Sequence, residues 1–374
     1  MRAATLALFL TLLATAALAE DHTAFVGVNV LSMETDRALL GQTVLVRNGR
    51  IADVGPLGTV PLPTGTRVIY GHGRWLVPGL IDAHVHVVAD DLRVYLDHGI
   101  TTVRDLASID RVIALSKEIE RGDRIGPRVI TAGRLINGPN PAVPDFSVTI
   151  DDATNAQKLV DAELARGVVW IKLYRDLPQP VYDAVVAAAH ARGAKVAGHV
   201  SEHIHVMHAM TRQDSIEHLD GYEHVLLRNG RIDTALMPLL AEEAAKSGVW
   251  TCPTLYIDSV LSPEMIAHRR LFVRHLRDAG ARLVAGTDAG YLVPAGTSLH
   301  GELEQLRLAG LTSYEVLRAA TADAAEMLGL SGDIGTIAAG KRADFVLVQE
   351  NPLENLATLR KPIGVMARGI WRRR

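Results

Sequence analysis

The chain has 374 residues, of which 48% are hydrophobic, so it can bury one large core and a smaller companion domain. Its formal net charge of -3 comes from interspersed acidic and basic residues, which argues against a nucleic acid or an anionic membrane as a partner. The single cysteine, Cys252, excludes an internal disulfide, and its apolar neighbours predict a core position.

The first residues have the pattern of a secretory signal peptide. Arg2 precedes an apolar run over residues 3–16, and Ala17-Leu18-Ala19 matches a small-x-small cleavage site. The run is short for a bilayer span and no basic cluster follows it, so an uncleaved anchor is the weaker alternative. We predict a signal peptide over residues 1–19 and a secreted or periplasmic protein with no stable membrane anchor.

Short strands are predicted at both ends of the mature chain. Residues 43–47 and 50–54 alternate around Asn48-Gly49, which is the turn of a two-residue hairpin. Further strands are expected at residues 68–70, 75–77, 343–348 and 365–368. The basic end, residues 372–374, is expected to be a solvated tail.

The middle of the chain, from about residue 79 to residue 330, alternates short apolar strands with amphipathic helices. The predicted strands cover residues 80–86, 101–104, 128–132, 168–174, 195–200, 215–219, 249–255 and 282–287. Helices are expected at residues 109–121, 152–166, 180–192 and 263–279, and a capping box at Thr312 and Glu315 opens a later one. Eight successive strand–helix units predict an α/β fold of the (β/α)8 TIM-barrel type. Residues 134–148 contain three prolines and predict an irregular lid or substrate loop.

Polar side chains stand at the C-terminal ends of five predicted strands, where the active site of such a barrel lies. His84 and His86 are two residues apart on the first strand, so both imidazoles point to one side, as a divalent metal requires. The remaining candidates are Lys172, His199, His218 and Asp288, from strands four, five, six and eight.

The motifs around these residues resemble those of the amidohydrolase superfamily. The similarity covers Val77-Pro78-Gly79-Leu80-Ile81-Asp82-Ala83-His84-Val85-His86, Ser215-Ile216-Glu217-His218, Ala285-Gly286-Thr287-Asp288-Ala289-Gly290 and Gly340-Lys341-Arg342-Ala343-Asp344-Phe345-Val346. The subgroup that the chain most resembles is the imidazolonepropionase-related and dipeptidase-like amidohydrolases. The resemblance implies a metal-dependent hydrolase barrel over residues 79–332 and a small β-sandwich built from residues 20–78 and 333–374.

The resemblance also implies a binuclear metal centre. His84, His86 and Asp288 would hold the more buried ion, and His199 with His218 the more exposed one. Lys172, carboxylated by carbon dioxide, would bridge both ions as a carbamate, since an ammonium group cannot ligate a cation. Zinc is the metal we expect, although manganese, cobalt and iron suit the same ligands.

The expected reaction is hydrolysis of an amide or peptide-like C–N bond of a small molecule, such as an N-acyl amino acid or a dipeptide. A metal-bridging hydroxide would attack the carbonyl, and Asp288 would carry its proton to the leaving nitrogen. The protein is also a candidate homo-oligomer. Loop residues that follow the strands are candidate substrate contacts. These candidates are Arg134, Tyr174, Tyr222, His224 and His300.

Other polar residues are expected to have structural roles. His203, His205 and His208 are interpreted as solvated, and Arg104-Asp105 as an ion pair.

Three alternatives stay open. His199 with Glu202 fits the His-x-x-Glu arrangement of a deaminase with one metal, although such a site does not need Lys172. The same two-metal centre could hydrolyse a lactone or a phosphoester. A barrel that only binds a ligand is disfavoured because all six expected metal ligands are present.

Overall fold

The computed structural model describes residues 21–374, so the predicted signal peptide lies outside the described residues. The N-terminal region is all strand: β1 (His22–Leu31), β2 (Ala38–Arg47), β3 (Arg50–Pro56), β4 (Arg67–Tyr70) and β5 (Trp75–Pro78). The predicted hairpin is confirmed, because Arg47 pairs with Arg50 and both turn residues have positive φ, 49° at Asn48 and 75° at Gly49. A turn of this hand matches the twist of the two strands.

All eight predicted barrel strands are present: β6 (Leu80–Val85), β7 (Ile100–Asp105), β8 (Arg128–Thr131), β11 (Trp170–Leu173), β12 (Lys195–Gly198), β13 (Ser215–Glu217), β16 (Trp250–Cys252) and β17 (Arg282–Leu283). Four short strands lie between them: β9 (Leu135–Asn137), β10 (Ser147–Thr149), β14 (Leu227–Arg228) and β15 (Arg231–Ile232). The expectation of an irregular segment at residues 134–148 was therefore wrong at its ends. β9 pairs with both β10 and β11, so the segment is anchored to the barrel.

Helices follow most barrel strands. They are α1 (Leu92–Asp97), α2 (Asp110–Arg121), α3 (Ala156–Ala165), α4 (Gln179–His190), α5 (Val206–Met210), α6 (Asp220–Leu226), α7 (Met237–Ser247), α8 (Leu255–Leu261), α9 (Ile266–Asp278), α10 (Thr297–Leu308), α11 (Ser313–Ala319) and α12 (Ala322–Leu328). The predicted capping box of Thr312 and Glu315 is present at the start of α11. Within residues 21–374, none of these helices has the length and apolar character that crossing a bilayer requires.

The barrel strands are parallel and form two hydrogen-bonded sheets, β6-β7-β8 and β10-β9-β11-β12-β13-β16-β17. Backbone hydrogen bonds join the two sheets along both of their edges. Val169 N donates to Thr131 O at 3.1 Å, and Ala83 N donates to Ala285 O at 2.9 Å. The first barrel strand therefore lies beside the eighth, and the C-terminal ends of all eight strands surround one opening.

The C-terminal strands β18 (Phe345–Val348), β19 (Gly364–Ala367) and β20 (Ile370–Arg373) join the N-terminal ones in a single eight-stranded sheet. β5 pairs with β18, and β1 pairs with β2, β4 and β5. Phe25 packs edge-on against Phe345 and Trp371 in its core. The expected solvated tail was wrong, because Arg372 and Arg373 lie in β20 and pair with β19.

Candidate metal centre

The structure brings all six predicted ligand side chains to the same end of the barrel. His84 lies in β6, Lys172 in β11, and His199 and His218 directly follow β12 and β13. A cavity of about 560 Å³ is lined by five of the six: His86, Lys172, His199, His218 and Asp288. The sixth, His84, is fully buried, and its ring centroid lies 5.6 Å from that of His86.

The donor atoms are close enough to share cations. Oδ1 of Asp288 lies 2.8 Å from Nε2 of His86 and 3.2 Å from Nε2 of His84. Ligand atoms of His84, His218 and Asp288 all lie within 4.8 Å of one another. The imidazoles form a row, since the ring centroids are 4.8 Å apart for His84 and His218 and 4.5 Å apart for His218 and His199.

Two of these residues have a backbone conformation that side chains rarely adopt. φ is 64° at His218 and 60° at Asp288. Thr254, which follows β16, also has a positive φ of 49°. Such conformations cost about 1–3 kcal/mol each and concentrate at functional sites, where the surrounding fold enforces them. The turns that carry His218 and Asp288 thus direct these side chains into the cavity at an energetic cost, and the turn at Thr254 places its hydroxyl against His218.

The approach of the first and eighth strands depends on a residue without a side chain. A Cβ at Gly286 would lie 2.4 Å from Sγ of Cys252 and 2.8 Å from N of His84, so only glycine fits. Asp82, which is fully buried, fixes the next turn by accepting hydrogen bonds from N and Oγ1 of Thr287, at 3.1 Å and 2.8 Å. Asp288 is therefore held against His84 by contacts between residues that are 205 positions apart in the chain.

Glu217, which belongs to the motif Ser215-Ile216-Glu217-His218, orients one of the proposed metal ligands, a role that the sequence did not predict. Its Oε2 lies 2.9 Å from Nδ1 of His84, so the imidazole donates there and keeps the lone pair of Nε2 for a cation. Its Oε1 accepts from Nη2 of Arg104 at 2.6 Å, and both side chains are fully buried. Burial would raise the pKa of Glu217, but Arg104 and His84 outweigh it and hold that pKa well below its usual range.

The expected ion pair between Arg104 and Asp105 was wrong. Asp105 instead accepts from backbone N of Val87 at 2.6 Å and from Oγ of Ser108 at 2.7 Å. Successive residues of a strand point to opposite sides, so Arg104 and Asp105 cannot meet. Alternation along β7 could have shown this, and it could also have shown that a buried arginine needs a carboxylate from a neighbouring strand.

Burial favours the neutral imidazole form of His199 and His218. Burial lowers the pKa of His199 well below its ordinary value and lowers that of His218 to about 4. Nδ1 of His218 lies 2.8 Å from Oγ1 of Thr254, which leaves Nε2 directed into the opening. A metal ion requires the neutral form of histidine, so both residues are prepared to ligate one.

Lys172 has the most unusual environment of the six. Lys172 is only 1% exposed to solvent, and its Nζ has no hydrogen-bond partner within the part of the chain described. Burial lowers the pKa of this amine to about 8, although the carboxylates of Glu217 and Asp288 oppose the shift. A buried amine without a partner is costly unless another group satisfies it.

The donor set fits divalent metal ions. Nζ of Lys172 and Nδ1 of His199 are buried polar atoms that no residue in the range 21–374 satisfies, and both residues line the same cavity as Asp288. Imidazole nitrogens with carboxylate oxygens are the ligands that zinc and its neighbours in the first transition row prefer. A cation at this position would satisfy these atoms.

The predicted substrate contacts are divided between the cavity and other places. Tyr174 lines the cavity, with its ring centroid 4.6 Å from that of His199. His224 lines an adjoining cavity of about 300 Å³, which shares His199, Arg175 and Asp220 with the main one.

The other three predicted contacts do not line the cavity. Arg134 donates to Oε1 of Glu163 from Nε at 2.9 Å and from Nη2 at 2.6 Å, so its charge is already paired. Tyr222 is buried, with its hydroxyl 2.9 Å from Oγ1 of Thr251. His300 is buried in α10, with Nε2 3.1 Å from O of His98.

The histidines after the fifth barrel strand lie apart from the centre, as expected. His203 pairs with Asp176 at 2.9 Å and His208 with Asp183 at 2.6 Å. Nδ1 of His205 accepts from the backbone of the first turn of α5. Cys252 is fully buried, as the sequence predicted.

A parallel α/β barrel with histidine, lysine and aspartate side chains at its C-terminal opening defines a class of metal-dependent hydrolases. The chain belongs to the amidohydrolase family, whose model matches residues 75–371. It is accordingly a metal-dependent hydrolase that acts on carbon–nitrogen bonds.

Three similar proteins illustrate the family. An uncharacterized protein of Mycobacterium tuberculosis (strain ATCC 25618 / H37Rv) is 30% identical over 346 residues, which are 84% of this chain and 89% of that protein. The imidazolonepropionase of Agrobacterium fabrum (strain C58 / ATCC 33970) is 25% identical over 86% of this chain and 88% of the enzyme. The solved structure of bottromycin amidohydrolase superimposes with a TM-score of 0.76 at 28% identity, covering 93% of this chain and 86% of that one.

Proposed function

We propose that the enzyme hydrolyses an amide or peptide-like bond of a small molecule, such as an N-acyl amino acid or a dipeptide, with two divalent cations. His84, His86 and Asp288 would hold one cation and His199 with His218 the other. Lys172, as a carbamate, would lie between them. The single observation that carries the proposal is the buried amine of Lys172, for which residues 21–374 supply no hydrogen-bond partner and which lines one cavity with four of the other proposed ligands.

The lysine is suited to this modification. Only a neutral amine reacts with carbon dioxide, and burial lowers the pKa of Lys172 to about 8, so the neutral form is more abundant near pH 7 than for a solvated lysine. The carbamate would replace an unsatisfied amine with an anion beside cations.

Bound divalent cations supply Lewis acidity, which activates water and polarises a carbonyl. The residues of the chain orient that chemistry. Burial would raise the pKa of Asp288, but the contacts with His84 and His86 outweigh it and hold that pKa well below its ordinary value. Asp288 is therefore an ionised carboxylate, which is the form that can act as a base. Asp288 would take a proton from the attacking water and deliver it to the departing nitrogen.

Metal analysis tests this proposal. The native enzyme, grown with bicarbonate, is expected to contain about two transition-metal ions per chain and to hydrolyse members of a panel of N-acyl amino acids and dipeptides. Lys172→Ala is expected to lose most bound metal and to lower kcat at least about a thousandfold, and added acetate should restore part of both by supplying a carboxylate. The matched control is Lys158→Ala, an exposed lysine on α3.

A Lys172→Ala variant that keeps two metals and full activity would disprove the bridging role. One metal per chain, independent of Lys172, with ammonia released from nucleobases, would favour the deaminase alternative.

We also propose that the mature enzyme acts outside the cytoplasm, on the basis of the signal-like residues 1–19. N-terminal sequencing of the enzyme from the extracellular or periplasmic fraction should start at Glu20. Full-length enzyme found only in the cytoplasm would contradict this.

A further inference from the structure

The cavity has an apolar wall that the proposed chemistry does not use. Phe146, Tyr291, Leu292, Val143 and Leu261 line it, from the segment before β10, the loop after β17 and helix α8. Leu292 is 66% exposed, Tyr291 57% and Leu261 55%. Large apolar side chains from three separate segments that remain exposed around one opening indicate a binding surface.

The apolar wall is in contact with the proposed metal centre. The rings of Phe146 and Tyr291 are 5.6 Å apart and inclined at 66°, which is an edge-to-face pair. The ring of Tyr291 lies 6.4 Å from that of His86. A group that packs against this pair would therefore lie beside the reacting bond.

Charged side chains lie at the other end of the row of imidazoles. Tyr174 packs against His199, and the guanidinium of Arg175 lies 5.7 Å from the Tyr174 ring. Arg175 pairs with Asp220 at 3.2 Å, and both residues line the main and the adjoining cavity. The row runs from His86 through His84 and His218 to His199. One end of the site is therefore apolar and the other is charged.

From this division we propose that the enzyme selects amphiphilic amides, in which a large apolar, preferably aromatic, group on one side of the scissile bond packs against Phe146, Tyr291 and Leu292. The proposal rests on the amide hydrolysis proposed above and specifies its substrate class. The occupant of the wall is the substrate and not a second copy of the chain, because the apolar lining continues below the rim. Leu135 and Ile257 line the same cavity and are each only 4% exposed.

Paired substrates test this selectivity on the zinc-loaded enzyme. N-phenylacetylglycine is compared with N-acetylglycine, and glycine benzylamide with glycine methylamide, so that the apolar group is placed on either side of the bond. In at least one pair the aromatic member is expected to have a kcat/KM at least about tenfold higher, since apolar pockets discriminate by one to two orders of magnitude. Tyr291→Ala and Phe146→Ala are each expected to reduce that ratio at least threefold (roughly half of the tenfold preference on a logarithmic scale).

The matched control is Leu239→Ala, which removes an apolar side chain that is 54% exposed on α7 and should leave the ratio unchanged. Equal kcat/KM values within both pairs, or ratios that Tyr291→Ala does not alter, would overturn the proposal. A Tyr291→Ala variant that changes the sedimentation coefficient but not the ratio would identify the wall as a subunit contact, which also overturns it.

A binding measurement separates this proposal from the proposed function. If the enzyme hydrolyses no amide, the proposed function is wrong, but calorimetry can still measure whether the apolar wall binds an aromatic group. Phenylacetate is then expected to bind the zinc-loaded enzyme at least about tenfold more tightly than acetate, and equal affinities would overturn the inference.

Discussion

Glu217 connects the buried guanidinium of Arg104 to the proposed metal centre. It accepts from Arg104 with one oxygen and from His84 with the other, and none of the three side chains is more than 1% exposed. Arg104 also lies 4.7 Å above the Trp170 ring and donates from Nε to O of Ala83 at 2.7 Å. The charge that orients the histidine is thus fixed by the core of the barrel.

Glu217→Gln is expected to lower both stability and metal affinity. It leaves Arg104 as a buried cation without a carboxylate, which should cost about 3 kcal/mol or more. His84 loses its anionic partner, which should weaken metal binding about 10–100-fold. Urea unfolding and metal titration measure the two effects.

The double variant Arg104→Met/Glu217→Gln controls for this reading. Because it removes the uncompensated charge, it should recover stability relative to Glu217→Gln while metal binding stays weak. If the single and double variants were equally unstable, the charge argument would be wrong.

Arg134 is expected to matter for stability and not for substrate binding. Arg134→Ala removes one of the two arginines that pair with the buried Glu163, the other being Arg166. We expect a loss of about 1–3 kcal/mol in unfolding free energy, and a KM within about twofold of the native value by steady-state kinetics. A KM raised tenfold with unchanged stability would restore the sequence-based assignment.

The sequence placed the proposed metal ligands more securely than the substrate contacts. His84, His86 and Asp288 belong to short motifs at strand ends, where topology alone determines the direction of a side chain. Arg134, Tyr222 and His300 lie on loops or helices, and their direction is set by partners far away in the chain. No local pattern reveals those partners, so exposure to the cavity could not be inferred.

Helix α8 connects the proposed metal centre to helix α10. Thr254, which lies next to its first residue, contacts His218, and Ile257, Asp258 and Leu261 line the cavity. Its N-terminus is held by Glu302 of α10, whose Oε2 accepts from N of Tyr256 at 2.6 Å. Glu302 is fully buried, and burial raises its pKa to about 8.

This shifted pKa predicts a pH-dependent effect of Glu302→Gln. Between its ordinary value of 4.5 and about 8, the native state binds a proton that the unfolded state has lost, so Glu302 makes stability fall as pH rises through that window. Glutamine keeps an acceptor and does not titrate. The stability of Glu302→Gln relative to the native enzyme should therefore increase by roughly 1–4 kcal/mol from pH 5 to pH 9.

Urea unfolding at the two pH values measures this difference. Glu304→Gln is the matched control, because Glu304 lies on the same helix but at the surface, paired with Arg307. A relative stability of Glu302→Gln that does not change with pH would show that Glu302 is ionised in the fold.

Among the helices and strands, the sequence predicted the regular barrel elements and missed the short strands. Most residues of the eight barrel strands are buried and many are aliphatic, as is typical of strands that are covered on both faces. β9 and β10 have three residues each and flank a proline-rich stretch, so local propensity favoured a loop. The pairing of β9 with β11, and of β10 with β9, overrides that propensity.

For the whole molecule, removal of the metals is expected to lower stability. Cations bind the folded site and not the dispersed ligands of the unfolded chain, so metal at a thousand times its Kd contributes about 4 kcal/mol. Dialysis against a chelator should lower the denaturant midpoint, and chelator with excess zinc is the control. An unchanged midpoint after complete metal loss would show that bound metal does not contribute to the stability of the fold.

The pairing of β5 with β18 has a consequence for how the molecule is made. Val77 pairs with Val346, a separation of 346 − 77 = 269 residues, and the whole barrel lies between them. Contacts so distant in sequence form slowly, because closing a long loop precedes any gain from the contact. During synthesis the edge of β5 that pairs with β18 therefore stays unpaired until the barrel and the C-terminal strands have been made. Aggregation during expression should therefore be most sensitive to substitutions in β5.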